Sequence, residues 1–417
     1  MDFRPSEEQA AAAGLAAQIF ADLATHERLA AAGTGSDAEL WKALTTAGLT
    51  AAVEEVGLLG LVLLLEEQGR TTAQVPYAAT CVYGILALAR HGSAEQCARL
   101  LPALYEGTAV ATGAFPARGL IRSGPARATA GPAPVTATAG PTPATNGPAS
   151  VTATAGPTPA TNGPASVTTT AGPAPMTTTA APGITRLTGV VPYVPWLRDA
   201  THVLVPDADR VLWLVRAGTP GVTIEPVETT APWSAGRLTL DAAEAERIGS
   251  GAGSGSGSGS GAGSGSRAYE DVLATARTAF AGLQAGVCAG SLARAVAHTS
   301  TREQFGRPLS TNQGVMLRAA DAHMDTEAIR VTAYEAAWRI DQALPARRHA
   351  LTAAWWAAEA GKRVVHAGQH LHGGMGADLD HPVHRHFLWG RQLDAYLGSG
   401  AELLAELGAS IAAEDEA

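Results

Sequence analysis

The chain has 417 residues, of which 29 are basic and 38 acidic, so its net charge is −9. This length allows two or three domains at roughly 100–200 residues each. Scattered arginines on an acidic chain argue against a surface for nucleic acid or anionic membranes. The three cysteines, Cys81, Cys97 and Cys288, lie far apart without a CxxC pair, which excludes a disulfide framework or cysteine metal site and indicates a reducing compartment.

Neither a membrane anchor nor a signal peptide is predicted. The longest apolar run, from Gly57 to Leu65, is far shorter than the ~20 residues that span a bilayer. The opening "MDFRPSEEQ" is acidic and polar, whereas a signal peptide begins with a basic and then an apolar stretch. We therefore expect a cytoplasmic protein.

Residues 1–115 predict an N-terminal all-α domain. Ser6 is placed as an N-cap, Glu7 and Glu8 fall in the first turn, and apolar residues then recur at helical spacing. Further helices are predicted over "DAELWKALTTAG", "GLLGLVLLLEEQGR" and "SAEQCARLLPALYEG".

Residues 116–248 predict a middle antiparallel β domain with an insert at about 123–183. The insert consists mostly of Ala, Pro, Thr and Gly in a repeat that begins at Val135 and again at Val151, and so little apolar bulk predicts disorder. The strands are short, β-branched and bounded by turn residues. They are "ITRLTGVVPYV", "THVLVPDAD", "RVLWLVRAG", "GVTIEPVE" and "GRLTLDA".

Residues 249–266 are a Gly/Ser sequence typical of a flexible linker, and residues 267–417 predict a C-terminal four-helix-type bundle. The fold class is therefore α+β multidomain. One stripe of the bundle recurs at steps of three or four residues, which predicts a buried face. It consists of Leu317, Ala320, Met324, Ala328, Val331, Tyr334 and Trp338.

The segment "TREQFGRPLSTNQ", residues 301–313, predicts the junction of two helices, since Pro308 stops one and Ser310 or Thr311 can cap the next. Arg302 is suited to bind a phosphate bidentately, and Phe305 offers an aromatic face. Taken alone, an arginine at such a junction is more often a solvated charge, and both interpretations stay open on this segment.

The segment "GQHLHGGMGADLDHPVHRHF", residues 368–387, is rich in histidine. It lacks HExxH and any cysteine pair, and Arg385 would oppose a cation, so we predict no metal site. "GGMGA" follows a helix rather than a strand and is by itself a weak signal for a phosphate cradle. The histidines are His370, His372, His381, His384 and His386.

Taken together and in this order, these segments resemble the flavin-dependent acyl-CoA dehydrogenase family. The similarity extends over nearly everything outside the two low-complexity segments, and the bundle motifs are its most specific part. It implies a helical, β, helical architecture with FAD between the β domain and the bundle. The implied reaction removes a proton from Cα and a hydride from Cβ of an acyl-CoA thioester, and an electron-acceptor flavoprotein is the implied partner.

In this family the FAD is shared across a dimer interface, and the resemblance assigns the reaching half of the site to this chain. Arg302 matches the pyrophosphate arginine and Phe305 the packing aromatic. Gln313 and Gln369 match the family's amides. The close-approach glycines correspond to Gly373, Gly374 and Gly376. Ser399 matches the hydroxyl of the terminal loop.

The departures from the family pattern fall on the other half of the site. Where the family has a Thr-Glu-Pro-Gly-Ala-Gly-Ser-Asp loop against the flavin ring, this chain has "ATGAFPARGLIRSG", which retains Thr112. The two positions at which the family places its catalytic glutamate fall on Leu397 and around Ala276, and neither side chain accepts a proton.

Glu270, Asp271 and Glu402 are near in sequence but out of register with the two expected base positions. The segment "DAYLGSGAE" is therefore expected to hold a cofactor rather than to abstract a proton. No catalytic residue is identified in the chain.

The resemblance leaves three functions open. The first is a base-less, FAD-supporting subunit of a hetero-oligomeric acyl-CoA dehydrogenase, which forms a dimer or tetramer with a paralogous chain. The second is a self-sufficient homo-oligomeric dehydrogenase or a related flavin oxidase or monooxygenase. The third is a non-catalytic scaffold. The retained residues of the reaching half favour the first.

Overall fold

The computed structural model describes residues 3–117, 121–124, 184–248 and 262–415. These belong to one compact unit, Met1–Pro125 together with Gly183–Ala417, and the remaining unit, Ala126–Pro182, lies outside the described residues. Most of the predicted insert at 123–183 and of the predicted linker at 249–266 likewise lies outside them. Where their edges are described, Ser123 and Gly124 belong to a strand and residues 262–266 to a helix.

The N-terminal residues form the predicted helices. The first helix begins after Ser6, whose hydroxyl accepts from the Gln9 N–H while the Gln9 side chain accepts from the Ser6 N–H, a reciprocal capping box. The helices are α1 Glu7–Leu23, α2 His26–Ala32, α3 Ala38–Thr46, α4 Val53–Thr71, α5 Tyr77–Ala79, α6 Ala87–His91 and α7 Ala94–Tyr105, with a π-helical stretch Thr80–Leu86 between α5 and α6.

The middle residues form one sheet of seven strands in the order β1-β4-β5-β7-β3-β2, with β6 also paired to β7. The predicted antiparallel pairing is confirmed except at one edge, where β1 and β4 run parallel with Thr112 opposite Val203. The strands are β1 Ala111–Gly113, β2 Ile121–Gly124, β3 Ile184–Val194, β4 His202–Pro206, β5 Leu212–Arg216, β6 Val222–Pro226 and β7 Gly236–Arg247.

Strand β1 lies inside the segment that the sequence predicted as helical. Three residues are too few to give a periodic signal, so tertiary pairing alone creates this strand. The Thr201 hydroxyl accepts from the Val110 N–H at 3.0 Å and donates to the Val110 carbonyl at 2.9 Å, which fixes the start of β1 beside β4.

The C-terminal bundle consists of α8 Ala262–Thr301, α9 Gln313–Asp341, α10 Arg347–Leu371, α11 Pro382–Tyr396 and α12 Gly400–Asp415. A short hairpin, β8 Glu303–Gln304 and β9 Arg307–Pro308, joins α8 to α9. The predicted cap at Ser310 or Thr311 is wrong, because a 3-10 turn occupies Leu309–Thr311. Asn312 caps α9 instead and accepts from the Gly314 N–H at 2.9 Å.

Helix α8 is the central helix of the bundle and packs closely on α4. A Cβ on Gly286 would lie 2.0 Å from the Glu66 carbonyl oxygen, and one on Gly290 would lie 2.3 Å from that of Arg70, so the two backbones touch. Residues 266–301 are long and apolar enough to cross a membrane, but 72% of the most apolar window is buried inside the fold. This burial is that of a core helix.

The predicted buried stripe on α9 is largely exposed. Leu317, Met324 and Val331 are 57%, 68% and 53% exposed, respectively. Small residues form the face that packs on the bundle, because they let α9 approach its neighbours closely, and a pattern search weighted by hydrophobic bulk passes over them. These are Ala322, Thr326, Ile329, Ala333, Ala336 and Ala337.

Candidate functional site

The end of α8 fixes the backbone of Arg302 and leaves its side chain in solvent. The Arg302 N–H donates to the His298 carbonyl at 2.8 Å, and the Arg302 carbonyl accepts from the Leu309 N–H at 2.9 Å. The guanidinium is exposed. The backbone of Arg302 is therefore held by hydrogen bonds while its guanidinium is exposed, as in a residue that binds an anion from another molecule.

Phe305 lies at the tip of the hairpin, and its ring is 100% exposed. Phe305 and Gly306 both have positive φ, 55° and 76°, as in the two-residue turns that match the strand twist of a hairpin. Glycine adopts this conformation freely, whereas a side chain such as phenylalanine is strained in it. The chain thus exposes the ring of Phe305 to solvent at a residue whose positive φ is unfavourable for phenylalanine.

The glycine loop after α10 is a 3-10 turn, Gly373–Ala377. Gly373 has a φ of 62°, and no atom lies within 4 Å of a Cβ built on Gly373 or Gly374, so this backbone is open to an approaching ligand. Gly376 differs, since a Cβ there would lie 2.4 Å from the Gln369 carbonyl oxygen. The Gln369 amide donates to the Gly376 carbonyl at 3.0 Å and so holds the loop from within the chain.

The Arg302 end of α8 and the glycine loop are neighbours. The ring of His298 on α8 stacks on that of His372, with 4.8 Å between centroids, and His372 precedes Gly373 directly. Gln313, the first residue of α9, has an exposed side chain just beyond the hairpin. We call Arg302, Phe305, Gln313, Gly373 and Gly374 the open rim.

Two histidines near the rim have lowered pKa values. Burial lowers the pKa of His298, and His372 and Arg302 lower it further. The pKa of His381 is lowered mainly by burial, and then by His372 and Arg294. Among the described residues, no group of three or more His, Cys, Asp or Glu is arranged to hold a metal ion.

Ser399 has a structural role in the fold. Its N–H and hydroxyl donate to the Glu402 carboxylate at 2.8 and 3.1 Å, and its hydroxyl accepts from the Glu402 N–H at 3.4 Å. This is the reciprocal capping box that starts α12. The S-x-x-E spacing was visible in the sequence, whereas the resemblance pointed only to a cofactor contact. That contact stays a prediction.

The two expected base positions are both in the core. Leu397 is 6% exposed and Ala276 is fully buried, and both belong to the main core cluster. Glu270 is paired with Arg210 at 2.5 Å, and Asp271 lies at the surface 4.0 Å from His91. Both neighbouring carboxylates therefore lie beside basic side chains.

Aromatic side chains belong to the same core cluster as these two positions. The Tyr83 and Tyr396 hydroxyls are hydrogen-bonded at 2.8 Å, and Phe115 stacks on Tyr83 with 5.1 Å between centroids. They come from distant parts of the sequence, so no local motif announces them. The aromatic cluster comprises Tyr83, Phe115, Tyr193, Trp196, Trp233, Tyr269, Phe280, Trp389 and Tyr396.

The segment that corresponds to the flavin-ring loop is also closed. Thr112 is fully buried, and its hydroxyl donates to the Pro195 carbonyl at 2.6 Å. Residues 114–117 line a cavity of about 290 Å³ together with Tyr193, Gln392 and Tyr396. Pockets that bind drug-sized ligands are typically ~300–1,000 Å³. The described part of this segment therefore offers little space for a flavin ring, whereas the open rim presents a guanidinium and an open glycine backbone, which suit a pyrophosphate.

Known proteins share both the sequence and the fold. The family description "Acyl-CoA dehydrogenase, C-terminal domain" matches residues 263–411. The acyl-CoA dehydrogenase FadE27 of Mycobacterium tuberculosis is 37% identical over 242 residues, which are 54% of this chain and 61% of that protein. The alignment thus spans less than two thirds of this relative.

Solved structures match over almost the whole chain. A Tcur3481-Tcur3483 steroid ACAD variant is 34% identical with a TM-score of 0.78, and 99% of each chain is covered. The ChsE4-ChsE5 complex of Mycobacterium tuberculosis is 29% identical with a TM-score of 0.76, again with 99% of each chain covered. From the family match, the identity over full length and the shared fold, the chain belongs to the acyl-CoA dehydrogenase family.

Proposed function

We propose that this chain is the FAD-supporting, base-less subunit of a hetero-oligomeric acyl-CoA dehydrogenase. The observation that carries the proposal is the contrast within one chain between a closed interior and an open rim. The interior has Leu397 and Ala276 at the base positions and aromatic rings around them. The rim presents Arg302 and the open glycines Gly373 and Gly374 to solvent.

In this arrangement the chain binds the pyrophosphate of an FAD whose ring lies in the partner subunit. The Arg302 guanidinium forms charge-assisted hydrogen bonds with phosphate oxygens, and the backbone of the glycine loop allows close approach. Bound FAD supplies the hydride acceptor. The partner provides the carboxylate base and the ring-binding loop, and an acceptor flavoprotein takes the electrons. The cytosol is the proposed compartment.

Exposed apolar surface supports association with another chain. Leu317, Met324 and Val331 form an outward stripe on α9, and Phe305 projects from the hairpin. Large apolar side chains exposed on one face of a helix are typical of interaction sites in soluble proteins. The two structural relatives are each named for two components, Tcur3481-Tcur3483 and ChsE4-ChsE5, which fits a hetero-oligomer for this chain too.

The test is flavin content with and without a partner. The chain is expressed alone, and then with a paralogous acyl-CoA dehydrogenase subunit encoded beside it, and the flavin absorbance per complex is measured. We expect a colourless chain alone and a yellow complex that oxidises an acyl-CoA with an artificial electron acceptor. A stoichiometrically flavinated, active protein purified alone would exclude the base-less role.

Arg302→Ala tests whether the rim holds the cofactor. Loss of a hydrogen bond to a charged group corresponds to roughly ten- to a hundredfold in affinity, so the complex should lose FAD on dilution. Arg307→Ala, at an exposed position of the same hairpin, is the matched control and should keep it. If Arg302→Ala retains both FAD and activity, the chain is a scaffold rather than a cofactor-binding subunit.

A further inference from the structure

His298 lies between the two parts of the open rim, and the proposed function gives it no role. The Arg302 N–H donates to the His298 carbonyl at 2.8 Å, so Arg302 follows His298 by one helical turn on the same face of α8. The His298 ring stacks on that of His372, with 4.8 Å between centroids and 22° between planes, and His372 directly precedes Gly373. An anion held by Arg302 and the glycine loop therefore has this imidazole beside it.

The His298 imidazole is available to a ligand. Within the part of the chain that the structure describes, its half-buried ring stacks on His372 and makes no hydrogen bond. The two neighbouring histidines each use a ring nitrogen inside the chain. His372 Nδ1 donates to the Gly368 carbonyl at 2.7 Å, and His381 Nδ1 accepts from the Val383 N–H at 3.2 Å. His298 is thus the member of this group that is equipped to donate to an anion.

The charges around His298 disfavour its protonated form while the rim is empty. Burial lowers its pKa first, and the neighbouring His372 and Arg302 lower it further. A phosphate group at Arg302 reverses this balance, because a negative charge within about 4–6 Å favours the protonated imidazole. The charged and titratable groups that face the histidines are Arg294 and Arg302 on α8, His372 after α10, Asp378 before α11, and His381 at the N-cap of α11. Of these, Asp378 alone is acidic, and its effect is on His381.

We propose that His298 is a second anion-binding residue of the open rim, which takes up a proton when FAD binds and donates it in a hydrogen bond to the pyrophosphate. The inference rests on the proposed function and adds a pH-dependent contact beside the permanently charged Arg302. The proton comes from solvent and goes to a ring nitrogen of His298, and no other covalent bond forms or breaks.

Calorimetric titration with FAD measures the proton uptake directly. The complex of this chain with its paralogous subunit is freed of FAD and titrated at pH 7 in two buffers of different ionisation enthalpy. The difference in heat gives the number of protons taken up, and we expect about half a proton per FAD. We also expect FAD to bind about tenfold more tightly at pH 6 than at pH 8, as one charge-assisted hydrogen bond implies. Equal affinity at both pH values without proton uptake would overturn the proposal.

Two substitutions of His298 separate a bound proton from a packing role. His298→Gln cannot be protonated, so it should lose the proton uptake and about tenfold in affinity at pH 6, with little change at pH 8. His298→Arg carries a permanent charge and should restore the affinity at pH 6 and maintain it at pH 8, without proton uptake. If both variants lose affinity equally at every pH, the His372 stack is what matters, and the proposal is refuted.

His323→Gln, on the exposed side of α9, is the matched control and should keep both the proton uptake and the pH dependence. Failure of this inference is distinguishable from failure of the proposed function. If the complex binds no FAD, or binds it equally well with Arg302→Ala, both fail. If FAD binding depends on Arg302 and neither pH nor His298→Gln changes it, the proposed function stands and only the role of His298 is refuted.

Discussion

The interior that contains Leu397 and Ala276 and the open rim both correspond to parts of the same family pattern. The first is buried, whereas the second is exposed. At the rim, Arg302 and Phe305 are exposed, and the Phe305 backbone is held at a positive φ. In the interior, Leu397 and Ala276 are packed among aromatic rings, and the Thr112 hydroxyl is used within the chain. Retained motif residues thus need not indicate a complete site.

This difference indicates that interior residues and rim residues contribute differently to the stability of the fold. Interior residues contribute to folding of the isolated chain, and a buried leucine favours folding more than a buried carboxylate would. Rim residues contribute little to folding, because their side chains contact mostly solvent. An exposed, strained aromatic is retained only if something outside the chain binds it. The predictions below test this division from the largest expected effect to the smallest.

Leu397→Glu tests whether the interior is truly closed. An uncompensated buried charge costs about 3–5 kcal/mol, so we expect the free energy of unfolding, measured with urea, to fall by that amount. The complex should gain no activity from this chain, since position 397 is packed in the main core cluster and does not line the neighbouring cavity.

Leu397→Met is the matched control, because it conserves volume and apolar character and should cost less than about 1.5 kcal/mol. A Leu397→Glu protein that is as stable as this control would show that position 397 is hydrated. If the variant also oxidised an acyl-CoA by itself, the interior would be an active site that lacks only its base.

The sequence predicted the type and order of the elements well and the state of the site only in part. Helices with caps and periodic apolar residues, such as α1, and β-branched strands, such as β3, agree with their predicted bounds closely. That the expected base position falls on Leu397 stays a prediction, since it depends on the resemblance. The aromatic cluster was not visible in the sequence, because Tyr83, Phe280 and Tyr396 meet only in the folded chain.

Other errors share one physical cause. A periodic pattern of apolar residues does not reveal which neighbouring element, if any, packs on that face. The stripe at Leu317, Met324 and Val331 predicted a buried face, and the chain exposes it. The parallel strand β1 depends on its pairing with β4, which a three-residue segment cannot signal. Tertiary and intermolecular packing decided these features.

The buried His386 predicts a pH dependence of the stability of the fold. Burial lowers the pKa of His386 to about 4 from its ordinary 6.5, while its hydrogen bond with the Arg70 carbonyl acts in the opposite direction. As the pH falls below 6.5, the unfolded chain takes up this proton and the folded chain does not. At pH 5 the expected loss of stability is about 2 kcal/mol.

Urea unfolding at pH 7.5 and pH 5 measures the effect as a difference between the two conditions. His386→Gln should lose this part of the pH dependence, whatever it does to stability at pH 7.5. His323→Gln on the exposed side of α9 is the control and should keep it. Equal pH dependence in all three proteins would mean that His386 is not buried in its neutral form.

Phe305→Asn tests the rim with the smallest expected effect on folding. Asparagine tolerates positive φ better than phenylalanine, so the isolated chain should gain a few tenths to about 1 kcal/mol of stability. The complex should instead dissociate roughly tenfold more readily, because the exposed ring is lost from the contact. Urea unfolding and sedimentation of the complex measure the two quantities.

Phe305→Ala separates the ring from the backbone, because it removes the aromatic face and leaves a side chain at the same positive φ. It should weaken the complex as Phe305→Asn does, without the gain in stability of the isolated chain. If Phe305→Asn destabilised the chain, the ring would serve the fold. A gain for the isolated chain with a loss for the complex is the result that only a residue retained for a partner produces.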